Sequence, residues 1–127
     1  MKYQYILNIE TSTTNCSVAL AKDGEVVCLK EDNSLKYSHA ERLHVYIDEV
    51  LNNANLKKSE LSAVAVSKGP GSYTGLRIGV SAAKGLCFAL DIPLISVPTL
   101  EALAYKIKIE KGCIVAMLDA RRMEVYA

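Results

Sequence analysis

Four of the seven glycines in this 127-residue chain fall within one stretch, Lys68-Gly-Pro-Gly-Ser-Tyr-Thr-Gly-Leu-Arg-Ile-Gly79. Upstream, Leu61-Ser-Ala-Val-Ala-Val-Ser67 is an apolar, small-residue run of the kind a strand covered on both faces requires. Downstream, Ser72 to about Leu90 lacks proline and is rich in alanine, leucine and small residues, which predicts a helix. Strand, glycine-rich turn and helix in that order place backbone N–H groups at a helix N-terminus, where they can hold an anion or admit another backbone closely.

Two spacing tests separate these uses. The G-x-x-x-x-G-K-[ST] phosphate loop needs a lysine after Gly75, where Leu76 stands, and G-x-G-x-x-G needs a glycine at Thr74. Glycines in the first turns of a soluble helix lose about 1 kcal/mol each relative to alanine, so they call for a packing reason. Gly75, Gly79 and Ala82 or Ala83 form a small-residue seam that lets a second helix approach, from the same chain or a partner. Beside it, Leu76, Val80, Ala83, Leu86, Cys87 and Leu90 form an apolar stripe. Gly71, Ser72, Tyr73, Thr74, Gly75, Arg77, Ile78, Gly79 and Ala82 are candidate docking residues, with Tyr73 and Arg77, types enriched at interface centres, as anchors. A bulky residue at Gly79 is expected to abolish pairing and leave the fold intact.

Ahead of this stretch, Tyr5–Ile9, Cys16–Ala21 and Glu25–Lys30 read as three strands of an antiparallel meander, the last two joined by the hairpin signal Asp23-Gly24. Ser38-His-Ala-Glu41 fits a capping box and opens a helix whose buried stripe is Leu43, Ile47, Val50, Leu51 and Ala54. Asp91-Ile-Pro-Leu-Ile-Ser-Val97 predicts another buried strand, Pro98-Thr99 a helix to about Lys108, and Cys113–Leu118 a strand that turns at Asp119–Arg122 into Met123–Ala127. A strand pair without a helix to cover it predicts a lobe over residues 1–110 and the first hairpin of a second, truncated lobe over 111–127.

Between the first two strands, Glu10, Thr11, Ser12 and Thr13 open a polar loop, a carboxylate beside hydroxyls. It suits either a Ser/Thr turn satisfying its own backbone or a nucleotide-facing loop bonded to phosphate oxygens or a hydrated cation. The two histidines, His39 and His44, are about 140° apart around a helix and do not form a metal-binding i, i+4 pair. Cys16, Cys28, Cys87 and Cys113 form no C-x-x-C pair and read as buried reduced thiols. A net charge of +1 gives no strong field for nucleic acid on this chain alone. No run approaches the roughly 20 apolar residues that span a bilayer, and no signal-peptide core is present, so the expected location is cytoplasmic.

Three antiparallel strands, then helix, strand, helix, strand, helix, predict an α/β fold of ribonuclease-H-like order, the lobe of the actin, Hsp70 and sugar-kinase superfamily, with a mixed sheet flanked by helices. More specific are Ile6-Leu-Asn-Ile-Glu-Thr-Ser-Thr13 with Cys16-Ser-Val-Ala-Leu20, the segment from Gly69 to Leu86, Ile92-Pro-Leu-Ile, Thr99-Leu-Glu-Ala-Leu103, Asp119-Ala-Arg-Arg and Glu124-Val-Tyr126. Together these resemble the TsaB (YeaZ) family nearly end to end. Glu10 stands where that family commonly has aspartate, and Met123 where glycine is frequent.

The resemblance implies a non-catalytic partner subunit of tRNA threonylcarbamoyladenosine (t6A) modification. It implies dimerisation with the catalytic paralogue TsaD through the two helices, which adds His39, Leu43 and Tyr46 to the candidate docking residues, work with the ATPase TsaE, contact with tRNA only through the complex, and self-association through the same surface. No cofactor is expected on this chain alone; nucleotide and metal are expected on the catalytic partner, which carries an H-x-x-x-H pair that this chain lacks. The alternatives are a nucleotide-binding or peptidase-like enzyme and a homodimeric interaction module.

Overall fold

The computed structural model describes residues 3–32, 39–104, 118–121 and 124–126. Its centre is a five-stranded mixed sheet of order β3-β2-β1-β4-β5. Strands β1 (Tyr5–Glu10), β2 (Cys16–Lys22) and β3 (Glu25–Asp32) form the expected antiparallel meander, and β4 (Ala63–Ser67) and β5 (Leu94–Val97) extend it in parallel from β1. Asp23 and Gly24 turn the hairpin with φ of 51° and 89°, the left-handed pair that a two-residue turn demands.

The first-helix pattern produces α1 (His39–Asn53), and the run after the glycine-rich turn produces α2 (Tyr73–Leu90). Ser72 caps α2 by accepting the Gly75 N–H at 3.2 Å, and Asp91 closes it in the left-handed conformation. A single 3₁₀ turn, Lys58–Glu60, leads into β4, and α3 (Thr99–Ala104) follows β5.

Alternation in the strands decides which face the helices cover. Leu7 and Ile9 of β1, Cys16, Val18 and Leu20 of β2, and Val64 and Val66 of β4 share one face. They join Leu43, Ile47, Val50 and Leu51 of α1 and Ala83 and Cys87 of α2 in one buried cluster. Every residue of β4 is buried, because it lies between two parallel neighbours and under α2. Each large apolar side chain so removed from water contributes about 1.5–3 kcal/mol.

Three expectations change. β5 is not buried: among the described residues it is the edge of the sheet, pairs only with β4, and leaves Leu94 and Ile95 exposed at 36% and 40%. Leu43, read both as part of the buried stripe and as a docking residue, is in the core at 0% exposure, as the stripe requires, and is not available for docking. The final pair forms as an antiparallel two-stranded sheet, but its strands are β6 (Leu118–Arg121) and β7 (Glu124–Tyr126), so Asp119 and Arg121 lie in a strand where a turn was expected. Ser38, Cys113 and Met123, and the 33–38 and 105–117 parts of the neighbouring expectations, lie outside the described residues.

Leu43→Ala should lower unfolding free energy by about 2–5 kcal/mol in urea titration, the cost of a buried leucine cavity. Val45→Ala, two positions along and half exposed, should stay within about 0.5 kcal/mol.

Candidate functional site

The loop between β1 and β2 and the N-terminus of α2 are built into each other. Thr11 and Ser12 are 1% and 2% exposed. The Thr11 hydroxyl donates to the Gly75 carbonyl oxygen at 2.6 Å, and the Ser72 N–H donates to the Ser12 carbonyl oxygen at 2.7 Å. A Cβ at Gly75 would overlap the Thr11 carbonyl oxygen, and one at Gly79 would overlap Thr11 Oγ1. At Gly71 it would lie 2.6 Å from the Ser12 carbonyl oxygen. The glycines therefore form a notch in which Thr11 sits.

This corrects the reading of the small-residue seam. Gly75 and Gly79 are buried against a loop of the same chain, not offered to a second helix or a partner. A bulky residue at Gly79 would strike Thr11 Oγ1, so its expected effect is on the lobe itself rather than on pairing with the fold intact.

The carboxylate of Glu10 is also turned to internal partners. Oε1 accepts the Ser12 N–H at 2.9 Å and the Ser12 hydroxyl, and Oε2 accepts the Ser67 hydroxyl from the end of β4. Of the loop expected to face a nucleotide, Thr11 and Ser12 point inward and Thr13 is exposed.

On its other side the loop is tied to α1. Arg42, 6% exposed, donates through NH1 to the Asp32 carbonyl oxygen at 2.6 Å and through NH2 to the Thr14 carbonyl oxygen at 3.1 Å. Its guanidinium also lies 3.7 Å from the Asp32 carboxylate, which accepts the Tyr46 hydroxyl at 3.3 Å. His39 is half-buried, with Nε2 2.5 Å from the Thr13 carbonyl oxygen. Burial, then the Asp32 carboxylate, push the Tyr46 phenol up from its ordinary value. Burial raises the Cys16 thiol, partly offset by Arg42, and burial likewise raises Cys87. Cys16 and Cys87 are buried free thiols, and Cys28 is half-buried.

The other candidate docking residues lie on the outer side of α2. Ser72, Tyr73, Thr74 and Arg77 are exposed, with Tyr73 at 75%, and Ile78 and Ala82 are half-buried. The Arg77 guanidinium lies 5.8 Å from the Tyr73 ring centre. Between the helices runs a groove of about 470 Å³, lined by His44, Ile47, Asp48 and Lys58 on one side and Ile78, Ser81, Ala82, Gly85, Leu86 and Ala89 on the other.

Two residues of consequence were missed. Phe88, 92% exposed, is the chain's only phenylalanine and lies about 20° around the helix from Arg77, a relation that counting from Arg77 would have revealed. Arg42 was missed because a charged residue beside an apolar stripe reads as solvated.

A ribonuclease-H-like lobe with this loop-and-glycine closure defines the class, and residues 33–127 match the family described as TsaD: tRNA N6-adenosine threonylcarbamoyltransferase. The tRNA threonylcarbamoyladenosine biosynthesis protein TsaB of Bacillus subtilis is 40% identical over 121 residues, 95% of this chain and 52% of that protein. The TsaB protein of Haemophilus influenzae is 39% identical over 124 residues, 95% of this chain and 51% of its own length. The solved structure of YeaZ from Pseudomonas aeruginosa superposes with a TM-score of 0.82 at 35% identity, covering 96% of this chain and 57% of that one. The chain belongs to this family, in its TsaB (YeaZ) branch. It spans about half the length of the curated relatives it matches.

The notch makes one substitution act with opposite sign at two places on α2. Gly79→Ala should destabilise the fold in urea titration, because overlap with Thr11 outweighs the gain of about 1 kcal/mol in helix propensity. Gly85→Ala, whose Cβ meets nothing within 4 Å, should stabilise it by about 0.5–1 kcal/mol.

Proposed function

We propose that this chain is a non-catalytic partner subunit in t6A modification of tRNA, pairing through the outer faces of α1 and α2 with a TsaD-like catalytic paralogue. The observation that carries this reading is the division of α2 into two faces. Its glycine face is filled by Thr11, whereas Tyr73, Arg77 and Phe88 present two large exposed rings and a guanidinium on the other. Tyrosine and arginine are the side chains that carry binding energy at interface centres, and a ring exposed at 92% gains most from being covered.

The groove beside this face is walled by small residues, Ser81, Ala82, Gly85 and Ala89, so a partner helix can approach α2 closely there. The same face suits a second copy of the chain. Within the assembly, nucleotide and metal belong to the catalytic partner, a TsaE-like ATPase acts with the pair, and tRNA is met through the complex in the cytoplasm. The internal partners of Glu10 support a structural rather than a catalytic role for the loop: its carboxylate already accepts from Ser12 and Ser67.

Phe88→Asp and Tyr73→Ala in the full-length protein should each weaken binding to the TsaD-like partner by about 2 kcal/mol or more, roughly thirtyfold in affinity, by calorimetry. Circular dichroism and the unfolding midpoint should stay unchanged. Unaltered affinity in both variants would sink the docking reading. Binding of ATP with magnesium to the isolated full-length protein, lost in Glu10→Ala, would favour the enzyme reading in its place.

A further inference from the structure

Three elements meet at His39. The residue opens α1, its Nε2 lies 2.5 Å from the Thr13 carbonyl oxygen, and its Nδ1 lies 3.3 Å from the Arg42 guanidinium. Its ring also rests over α2 at Gly75, where a Cβ would come within 3.2 Å of Cδ2.

The chemistry of the two partners fixes the proton on the ring. A carbonyl oxygen only accepts, so Nε2 carries the hydrogen; a guanidinium only donates, so Nδ1 offers its lone pair. One species satisfies both contacts, the neutral imidazole protonated at Nε2. Arg42 is held in place by the Asp32 and Thr14 carbonyl oxygens and the Asp32 carboxylate. A proton added at Nδ1 would set N–H against N–H and cation against cation across that 3.3 Å gap.

Among the described residues, the charged groups around the ring are few. Arg42 faces it from α1, where Glu41 is exposed, and Asp32 at the end of β3 stands behind Arg42. The β1–β2 loop presents the Thr13 and Thr14 carbonyls, with the Glu10 carboxylate turned to Ser12 and Ser67. Gly75 faces it from α2, whose Arg77 is exposed.

We propose that His39 and Arg42 form a protonation-sensitive clasp between α1 and the β1–β2 loop. Because Thr11 and Ser12 of that loop also hold the N-terminus of α2, the clasp sets how the two helices stand relative to each other. It is closed with neutral His39 and released when the ring takes up a proton. Its consequence for partner binding rests on the docking reading; the clasp itself does not.

The test uses full-length protein, with imidazole nitrogen shifts to assign the tautomer and amide exchange at Ser72, whose N–H donates to Ser12, to report on the loop. With neutral His39 the ring should carry its hydrogen on Nε2. As the solution is acidified, Ser72 protection, corrected for intrinsic exchange, should drop by about tenfold, equivalent to about 1.4 kcal/mol. His39→Gln supplies a donor for Thr13 and an acceptor for Arg42 without titrating, so protection should stay flat; His44→Gln should keep the wild-type step. An Nδ1-protonated ring, a step that persists in His39→Gln, or no step in the wild type would each overturn the clasp. Partner affinity measured on the same samples separates the two readings: a step in exchange with no step in affinity supports the clasp and counts against docking through this face.

Discussion

Thr11 is the residue through which the loop between β1 and β2 is locked to α2. Its hydroxyl donates to a carbonyl inside α2; its carbonyl oxygen fills the space of a side chain at Gly75, and its hydroxyl fills that of one at Gly79. Close approach of this kind admits only glycine, because a single methylene would meet a polar atom inside van der Waals contact. The helix gives up roughly 1 kcal/mol of propensity at each of the two glycines, and a buried hydrogen bond with well-packed contacts offsets it.

From that contact the constraints spread in two directions. Through Ser12 the loop reaches Glu10 and Ser67, joining the carboxyl ends of β1 and β4. Through Thr13 and Thr14 it reaches His39 and Arg42, and so fixes the first turn of α1. Arg42 is a buried cation whose position is set by carbonyl oxygens as much as by Asp32, and such a group is strongly destabilising when its partners are removed. The face of α2 left outside this network carries the exposed rings of Tyr73 and Phe88, and the proposed pairing is placed there for that reason.

Much of this was legible in the residues. Alternation in the first three strands, the Asp23-Gly24 turn and the 3.6-residue stripe of α1 each have a local cause, and each forms where its pattern stands. The family pattern was legible too, because the segment from Gly69 to Leu86 is specific in composition and spacing. The direction of the glycine face was not. Periodicity shows that Gly75 and Gly79 share a face, but which neighbour fills it depends on a loop more than sixty residues away in sequence. The same holds for Arg42, whose burial follows from carbonyl oxygens on two other elements, and for β5, whose apolar residues read as core while sheet order makes it an edge.

The most direct test of the account is a double-mutant cycle between Thr11 and Gly79, read by urea unfolding of the full-length protein. Thr11→Ala removes the hydroxyl that a Gly79 side chain would strike, leaving Thr11 Cβ at 3.5 Å, an ordinary contact. If the notch closes the lobe on itself, Gly79→Ala should lose most of its penalty in the Thr11→Ala background, a coupling of about 1 kcal/mol or more. Strict additivity of the two substitutions would mean that Gly79 does not face Thr11, and would contradict the account.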